Sequence, residues 1–269
     1  MRELSFTKMA GAGNDFILLD NRRNRLKGDF SDLARRLCRR KESVGADGLL
    51  LLEKSKEADV RMRIWNPDGS EADMCGNGVR CLAKFAVENR LAGPRLSIET
   101  PAGIIRARVL DSRVKVKMLN PKDLRLNIDL PAGRKKVRLH FIHTGVPHAV
   151  LFYPSLHDCD VAGLGRAIRR HPYFGPRGTN VNFVSLRVGN GIDIRTYERG
   201  VEGETLSCGT GSTAGALILA ALKGFRPPVS VHTRSGEILK IYFKRKGLAF
   251  REVYLEGPVQ KTFEGRVGL

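Results

Sequence analysis

The chain has 269 residues, 42% of them hydrophobic, which is enough for one or two domains with buried cores. Its five cysteines form neither a secreted disulfide framework nor paired C-x-x-C zinc motifs, so we expect reduced thiols, no metal and a cytoplasmic location. The net charge of +19 would suit a polyanion, but the basic residues are scattered over polar faces without interleaved aromatics, so we expect no nucleic-acid partner.

The N-terminal residues 1–16 carry charges where a signal peptide needs an apolar core, and no apolar run in the chain approaches the length of a membrane span. We therefore expect a soluble protein that is neither exported nor bound to a membrane. Short β-rich runs bounded by Gly, Asn or Pro predict strands at 14–20, 48–53 and 60–65. Between the first two, an amphipathic pattern predicts a helix over 31–41, capped by Ser31.

The remaining elements of the first half recur in the second half. Residues 78–93 predict a helix that stops at Gly93-Pro94, and a hairpin follows over 96–110. The second half has, in the same order, an alternating strand over 191–200, a turn and helix over 203–224, and a hairpin over 229–243.

A constant offset of 133 residues relates the two halves. It joins Cys75 to Cys208 and the two glycines that follow each cysteine, so that two C-G-x-G motifs stand in register. This predicts an internal duplication and an α/β fold with two similar domains. The polar, proline-containing stretch 119–136 is the expected boundary. The expected domains are 1–119, joined by the closing segment 258–269, and 120–257.

The two cysteines in these motifs have a setting suited to chemistry. Each begins a predicted helix, where the macrodipole favours a thiolate and binds an anion, and the glycines let a substrate approach the backbone. Duplicated halves commonly pack about a pseudo-twofold axis, so we expect both thiols in one cleft. One could then remove the α-proton of a bound amino acid while the other donates to the opposite face. The remaining cysteines are expected to be small buried hydrophobes: Cys38, Cys81 and Cys159.

Other thiol chemistries are less consistent with a duplicated motif. A papain-like hydrolase needs one cysteine with a histidine partner, and a redox centre normally keeps its resolving cysteine nearby. The sequence does not exclude a regulatory disulfide between Cys75 and Cys208.

Seven long motifs, in order along nearly the whole chain, resemble the diaminopimelate epimerase family. The resemblance implies interconversion of LL- and meso-diaminopimelate, for lysine and peptidoglycan precursors, without pyridoxal phosphate or any other cofactor. It also implies a homodimer of two-domain chains, each domain a mixed, mostly antiparallel sheet around a central helix, with the active site in the cleft between domains. The motifs are KMAGAGNDF, VGADGLL, NPDGSEADMCGNGVRC, TGVPHAV, GTNVNFV, YERGVEGETLSCGTGSTA and GPVQKTFEG.

Carried over by position, the resemblance implies a role for each of twelve residues. The acid and base thiols fall on Cys75 and Cys208, and the pair that tunes them on His148 and Glu198. The helix-start groups that bind the α-carboxylate fall on Gly76, Asn77, Gly209 and Thr210. The groups that bind the distal end of the substrate fall on Asn14, Asn66, Asn180 and Arg199.

Three positions depart from the common family pattern. Val146 stands where many members have asparagine, Gly48 where some have glutamine, and Ala10 where histidine is usual. A racemase of proline, hydroxyproline or histidine is the nearest alternative, although Arg199 and the asparagines favour a substrate with a second charged end. A basic RNA-binding protein is the alternative from another class. The three asparagines are also typical of turns and caps, and His148 could be structural.

Overall fold

The computed structural model describes residues 3–132 and 135–268. The described part is a mixed α/β structure, mostly strands, as predicted from the sequence. The chain divides into two compact units, one of Met1–Val116 with Gly257–Leu269 and one of Lys117–Glu256.

The described residues of the first unit form eight strands and two helices before the closing strand. They are β1 (Glu3–Gly11), β2 (Asn14–Asp20), α1 (Phe30–Leu37), β3 (Gly48–Glu53), β4 (Val60–Trp65), β5 (Glu71–Ala72), α2 (Gly76–Glu88), β6 (Arg95–Thr100), β7 (Gly103–Leu110) and β8 (Arg113–Lys117).

The described residues of the second unit form nine strands and two α-helices, with a short 3₁₀ turn at Pro172–Phe174. They are β9 (Lys122–Ala132), β10 (Lys135–His143), β11 (Pro147–Phe152), α3 (Val161–Arg169), β12 (Asn180–Arg187), β13 (Gly191–Glu198), β14 (Gly203–Thr205), α4 (Gly209–Lys223), β15 (Val229–His232), β16 (Ile238–Lys246) and β17 (Ala249–Pro258). The final strand, β18 (Gln260–Gly268), belongs to the first unit and pairs antiparallel with β1.

In each unit the strands surround one buried helix. In the first unit α2 contacts β1, β2, β3, β4, β6 and β7; in the second, α4 contacts β10, β11, β12, β13, β15 and β16. The α4 sequence is small or apolar on every side, and residues 211–220 are all buried, as expected of a helix enclosed by a sheet. Parallel pairs occur at β2–β3, β4–β6, β11–β12 and β13–β15, and the other pairings within each unit are antiparallel.

The duplication predicted from the sequence extends to strand register. In the first unit Phe16 pairs with Gly48, and in the second Ala149 pairs with Val181, each 133 positions later. The central helices α2 and α4 also begin 133 residues apart. The repeated sequence therefore builds the same scaffold twice.

Two local predictions were wrong in detail. Asp29, not Ser31, caps α1, because its carboxylate reaches the amides of both Ser31 and Asp32. Helix α2 ends at Glu88 rather than at Gly93-Pro94, since the left-handed backbone of Arg90 (φ 57°) turns the chain away. The domain boundary expected near 119–136 stays a prediction, and residues 122–132 of that stretch form β9 and pair with β10.

Candidate active site

Cys75 lies at the N-terminus of α2. Its extended backbone (φ −136°, ψ 118°) precedes the first helical turn, and its Sγ accepts a hydrogen bond from the amide of Gly78 at 3.4 Å. The thiol is half-buried. A Cβ on Gly76 would meet nothing within 4 Å, so the space over the helix start is open. The first amides of a helix have no partner within it, which leaves them available to an anion.

A chain of side-chain hydrogen bonds fixes the asparagines beside Cys75. Arg80, fully buried, donates to Asn77 Oδ1 at 2.8 Å. Asn77 Nδ2 donates to Asn14 Oδ1 at 2.7 Å, and Asn14 Nδ2 donates to Asp47 Oδ2 at 3.0 Å. Because a guanidinium can only donate and a carboxylate can only accept, the orientations of both amides are set from the two ends. The structure thus brings Asn14 and Asn77 together next to the first thiol.

Asn66 is held in the turn between β4 and β5. Its amide nitrogen Nδ2 donates to Ser70 Oγ at 3.0 Å, and its backbone N–H donates to the carbonyl of Ser70 at 2.8 Å. These contacts match the turn role that asparagine commonly has, so its part in binding stays a prediction.

Cys208 has the equivalent position at the N-terminus of α4, with φ −126° and ψ 112°. Its buried Sγ lies 3.5 Å from the hydroxyl of Thr210 and within hydrogen-bonding reach of Glu198. The carboxylate of Glu198 also accepts a hydrogen bond from Thr205 at 2.5 Å.

The ionisation of this pair differs from what a helix start alone predicts. Burial, and then the negative charge of Glu198, raise the pKa of the Cys208 thiol to about 12. Burial also raises the pKa of Glu198, against hydrogen bonds from Thr205 and Cys208 that lower it. The macrodipole, which favours a thiolate, is therefore outweighed at Cys208, and the resting form is the thiol. Both raised values favour retention of a proton within the pair.

His148 is fully buried on β11. Its Nδ1 lies 3.0 Å from Asn182 Nδ2, and its Nε2 has no hydrogen-bond partner among the described residues. Burial, followed by the charges of His143 and Arg199, lowers the pKa of His148 to about 3. Desolvation favours the neutral ring, so the low pKa leaves His148 uncharged near neutral pH. Its part in tuning the thiols stays a prediction.

Asn180 and Arg199 lie together at the ends of β12 and β13. The backbone N–H of Arg199 donates to Asn180 Oδ1 at 2.8 Å, and Asn180 Nδ2 donates to the carbonyl of Pro147 at 3.3 Å. The guanidinium of Arg199 makes no hydrogen bond or ion pair with the described residues. Burial, then the positive charges of Arg169 and Arg177, lower its pKa. An arginine among other cations and without a carboxylate partner suits an anionic ligand.

The loop that contains Val146 is tied to the start of α4. Thr144 Oγ1 donates to the carbonyl of Thr210 at 2.9 Å, and the backbone N–H of Thr144 donates to the carbonyl of Val146 at 3.1 Å. Gly145 between them has φ 108°, a conformation that other residues rarely adopt. The loop is held in place without the amide that family members often have there.

Sequence reasoning missed several residues that shape these two helix starts. Asn182 follows Asn180 by two positions on β12, so the alternation of a strand places both on one face, which was an available signal. Arg80 is a charged residue three positions after Asn77 on α2, so both lie on one face of the helix, which was also an available signal. The roles of Asp47 and Thr205 depend on contacts between distant strands and turns, and no local pattern of residues indicated them.

No group of His, Cys, Asp or Glu within 3–132 and 135–268 has a geometry that could hold a metal ion. In the same ranges, no helix is both long and apolar enough to cross a membrane.

The chain matches known proteins over nearly its full length. The sequence profile of the diaminopimelate epimerase family matches residues 6–124 and 140–262. A diaminopimelate epimerase from Hydrogenobaculum sp. is 45% identical over 273 residues, covering 96% of this chain and 96% of the relative. Another, from Aquifex aeolicus, is 43% identical over 280 residues, or 98% of both. A solved phenazine biosynthesis protein of the PhzF family from Bacillus anthracis has a TM-score of 0.77 at 15% identity, covers 100% of both chains, and shows likeness of fold alone.

Proposed function

Because this chain belongs to the diaminopimelate epimerase family, an isomerase family, we propose that it interconverts LL- and meso-diaminopimelate by proton exchange at one α-carbon, without a cofactor. One observation carries the proposal. Cys75 and Cys208 cap two central helices that begin 133 residues apart in a duplicated scaffold, so each thiol stands beside helix-start amides that can bind an anion.

The helix-start groups are proposed to bind the α-carboxylate. These are Gly76 and Asn77 on α2 and Gly209 and Thr210 on α4. Carboxylate bound there would draw electron density away from the α-carbon and stabilise the carbanion formed when its proton leaves. One thiolate removes the proton from one face, and the other thiol delivers a proton to the opposite face.

Glu198 is proposed to hold the proton that Cys208 must lose to act as a base. The raised pKa of this carboxyl supports that role, because it brings the proton affinity of Glu198 closer to that of the buried thiol. When the reaction runs in the other direction, Cys208 keeps its proton and donates it, while Cys75 acts as the base.

The distal end of the substrate carries a second carboxylate and a second ammonium group. Arg199 offers the carboxylate a planar pair of donors, and its lack of an acidic partner among the described residues supports this role. Asn14, Asn66 and Asn180 complete the proposed distal site, since amides can donate to the carboxylate and accept from the ammonium. Homodimeric assembly, a cytoplasmic location and the absence of nucleic-acid and membrane partners belong to the same proposal.

A panel of substrates tests the activity. Purified protein is incubated with LL-diaminopimelate, L-proline, trans-4-hydroxy-L-proline and L-histidine, and the stereoisomers are resolved by chiral chromatography. We expect meso-diaminopimelate alone to form, and no turnover by the Cys75→Ala and Cys208→Ala variants. Cys159→Ala is the matched control, because Cys159 is a buried thiol of the second unit outside the two motifs. Turnover of a monocarboxylate, with none of diaminopimelate, would contradict the proposal.

A further inference from the structure

Asn182 is a buried amide whose contacts can be assigned without ambiguity. Its Nδ2 lies 2.9 Å from the carbonyl oxygen of Ala149 and 3.0 Å from Nδ1 of His148. Its Oδ1 accepts a hydrogen bond from the hydroxyl of Thr196 at 3.0 Å. A backbone carbonyl can only accept, so the nitrogen of the amide must face Ala149.

The assignment of the amide determines the state of the histidine. One N–H of the Asn182 amide is used by Ala149, and the other points to Nδ1 of His148, which must therefore present a lone pair. We infer that Asn182 is a positioning residue that fixes His148 as the neutral Nε2–H tautomer, so that His148 serves the proposed epimerase reaction as a hydrogen-bond donor rather than as a base.

The remaining nitrogen of the ring supports this assignment. Nε2 is fully buried and has no partner among the described residues, and a buried donor is unfavourable until an acceptor reaches it. His143 and Arg199 are the charged or titratable groups that act on the ring, and both oppose a second proton on it. A neutral donor fixed in this way suits an anionic acceptor, namely a thiolate formed during the reaction or the carboxylate of the substrate, which gains negative charge as the α-proton leaves.

The second glycine of the C-G-T-G motif belongs to this arrangement. A Cβ on Gly211 would lie 2.3 Å from Asn182 Oδ1 and 3.3 Å from the Cβ of Cys208. Only glycine lets the start of α4 pack against the amide. In the first unit the positions 133 residues before Asn182 and His148 are Leu49 and Asp15, so the second unit alone has this amide–imidazole pair.

Nitrogen-15 NMR of the substrate-free protein tests the inference directly. We expect Nδ1 of His148 to resonate as an unprotonated, pyridine-type nitrogen and Nε2 as a protonated one. We also expect a coupling through the hydrogen bond between the Asn182 amide nitrogen and His148 Nδ1. His140 is an internal reference, because its Nδ1 accepts from the backbone N–H of Asn127 at 3.1 Å and should show the same tautomer. A protonated Nδ1 on His148 would overturn the inference.

Asn182→Asp reverses the sense of the contact at nearly constant size. A carboxylate can only accept, so Nδ1 of His148 should gain a proton and its resonance should move to the protonated range. Asn182→Leu supplies the residue that the first unit has at this position, and it should abolish the coupling. Thr196→Val is the matched control, since it removes a hydrogen bond to the same amide but leaves the carbonyl of Ala149 to orient it. Equal tautomer changes in Thr196→Val and Asn182→Asp would show that packing, not the amide donor, selects the tautomer.

Kinetics separate this inference from the proposed function. In Asn182→Asp we expect kcat to fall by at least about tenfold with KM little changed, because a catalytic imidazole in the wrong tautomer can cost up to ~10⁴ in rate. The pH profile should gain an ionisation near neutral pH from His148. A wild-type kcat in a variant with a protonated Nδ1 would overturn the donor role. If the wild-type protein fails to act on diaminopimelate, the proposed function fails while the tautomer assignment still stands or falls on the NMR result.

Discussion

Replacing Glu198 with glutamine separates the two effects of its carboxylate on Cys208. The negative charge opposes formation of the thiolate, and the same oxygen atoms are the proposed acceptor of the thiol proton. Glutamine keeps the shape and removes both the charge and the ability to take a proton. Glu198→Gln should therefore make Cys208 more acidic and the enzyme slower.

The size of the effect follows from the pKa of Cys208. Its rise from an ordinary 9.0 to about 12 corresponds to about 4 kcal/mol against the thiolate. Burial is the larger cause and remains in the variant, so the pKa should fall but stay above its ordinary value. Each decrease by one in pKa raises the thiolate fraction about tenfold below the pKa. Loss of the proton acceptor should lower kcat by about 10² to 10⁴, the usual contribution of general acid–base catalysis.

Alkylation and turnover measure the two effects on the same samples. The rate at which iodoacetamide labels Cys208 is followed by peptide mass spectrometry from pH 7 to pH 10, and kcat is measured by chiral chromatography. Cys38, whose pKa is raised to about 11 by burial, serves as an internal reference. Glu204→Gln is the matched control, because Glu204 pairs with Arg195 on the neighbouring strand and makes no hydrogen bond to Cys208 among the described residues. Unchanged labelling of Cys208, or a kcat no lower than that of the control, would refute the reasoning.

Three other changes have defined outcomes. Burial would raise the pKa of Asp15, but hydrogen bonds from Arg40 and Lys8 outweigh burial and lower this pKa from 3.8 to about 2. The charged form of Asp15 therefore stabilises the fold by about 2 kcal/mol above pH 4, and this stabilisation is lost as the pH falls towards 2. Asp15→Asn should lower the free energy of unfolding in urea by about that amount at pH 7 and by much less near pH 2, and equal losses at both pH values would argue against the ion pairs. Arg199→Met should raise KM for diaminopimelate about tenfold or more, the loss of about 1.5–3 kcal/mol from a charged hydrogen bond, whereas an unchanged KM would favour a monocarboxylate substrate. Gly211→Ala should lower kcat and the melting temperature together, because the new Cβ would lie 2.3 Å from the buried amide oxygen of Asn182. The control is Gly236→Ala, which should lower the melting temperature alone, because Gly236 lies in a turn with φ 84° and its Cβ would meet no atom within 4 Å.

The scaffold was predictable from the sequence because its signals are local and repeated. Short β-rich runs, the two C-G-x-G motifs and their common offset identified the strands beside each central helix and both cysteine caps. Boundaries were less predictable. The cap of α1 depends on which of two nearby oxygens reaches the free amides, and the strand β9 forms from polar residues only because β10 supplies its hydrogen bonds.

The electrostatics of the candidate site could not be predicted from residue types. A cysteine at a helix start suggests a thiolate, yet burial and Glu198 raise the pKa of Cys208 to about 12. A histidine suggests a proton carrier near neutral pH, yet full burial leaves His148 neutral. Both reversals arise from desolvation, which depends on how completely the surrounding strands exclude water. The sequence identifies the groups, and the packing determines their protonation.

The most direct measurement of the two-thiol mechanism is the reaction of LL-diaminopimelate in deuterated water. The donor thiol exchanges its hydrogen with solvent before the substrate binds, whereas the thiol that removes the α-proton can return only that same proton. The account predicts that the first meso product is fully labelled at the inverted α-carbon while the recovered LL substrate remains unlabelled. Meso product that retains the original hydrogen, or product formation that persists in both Cys75→Ala and Cys208→Ala, would contradict it.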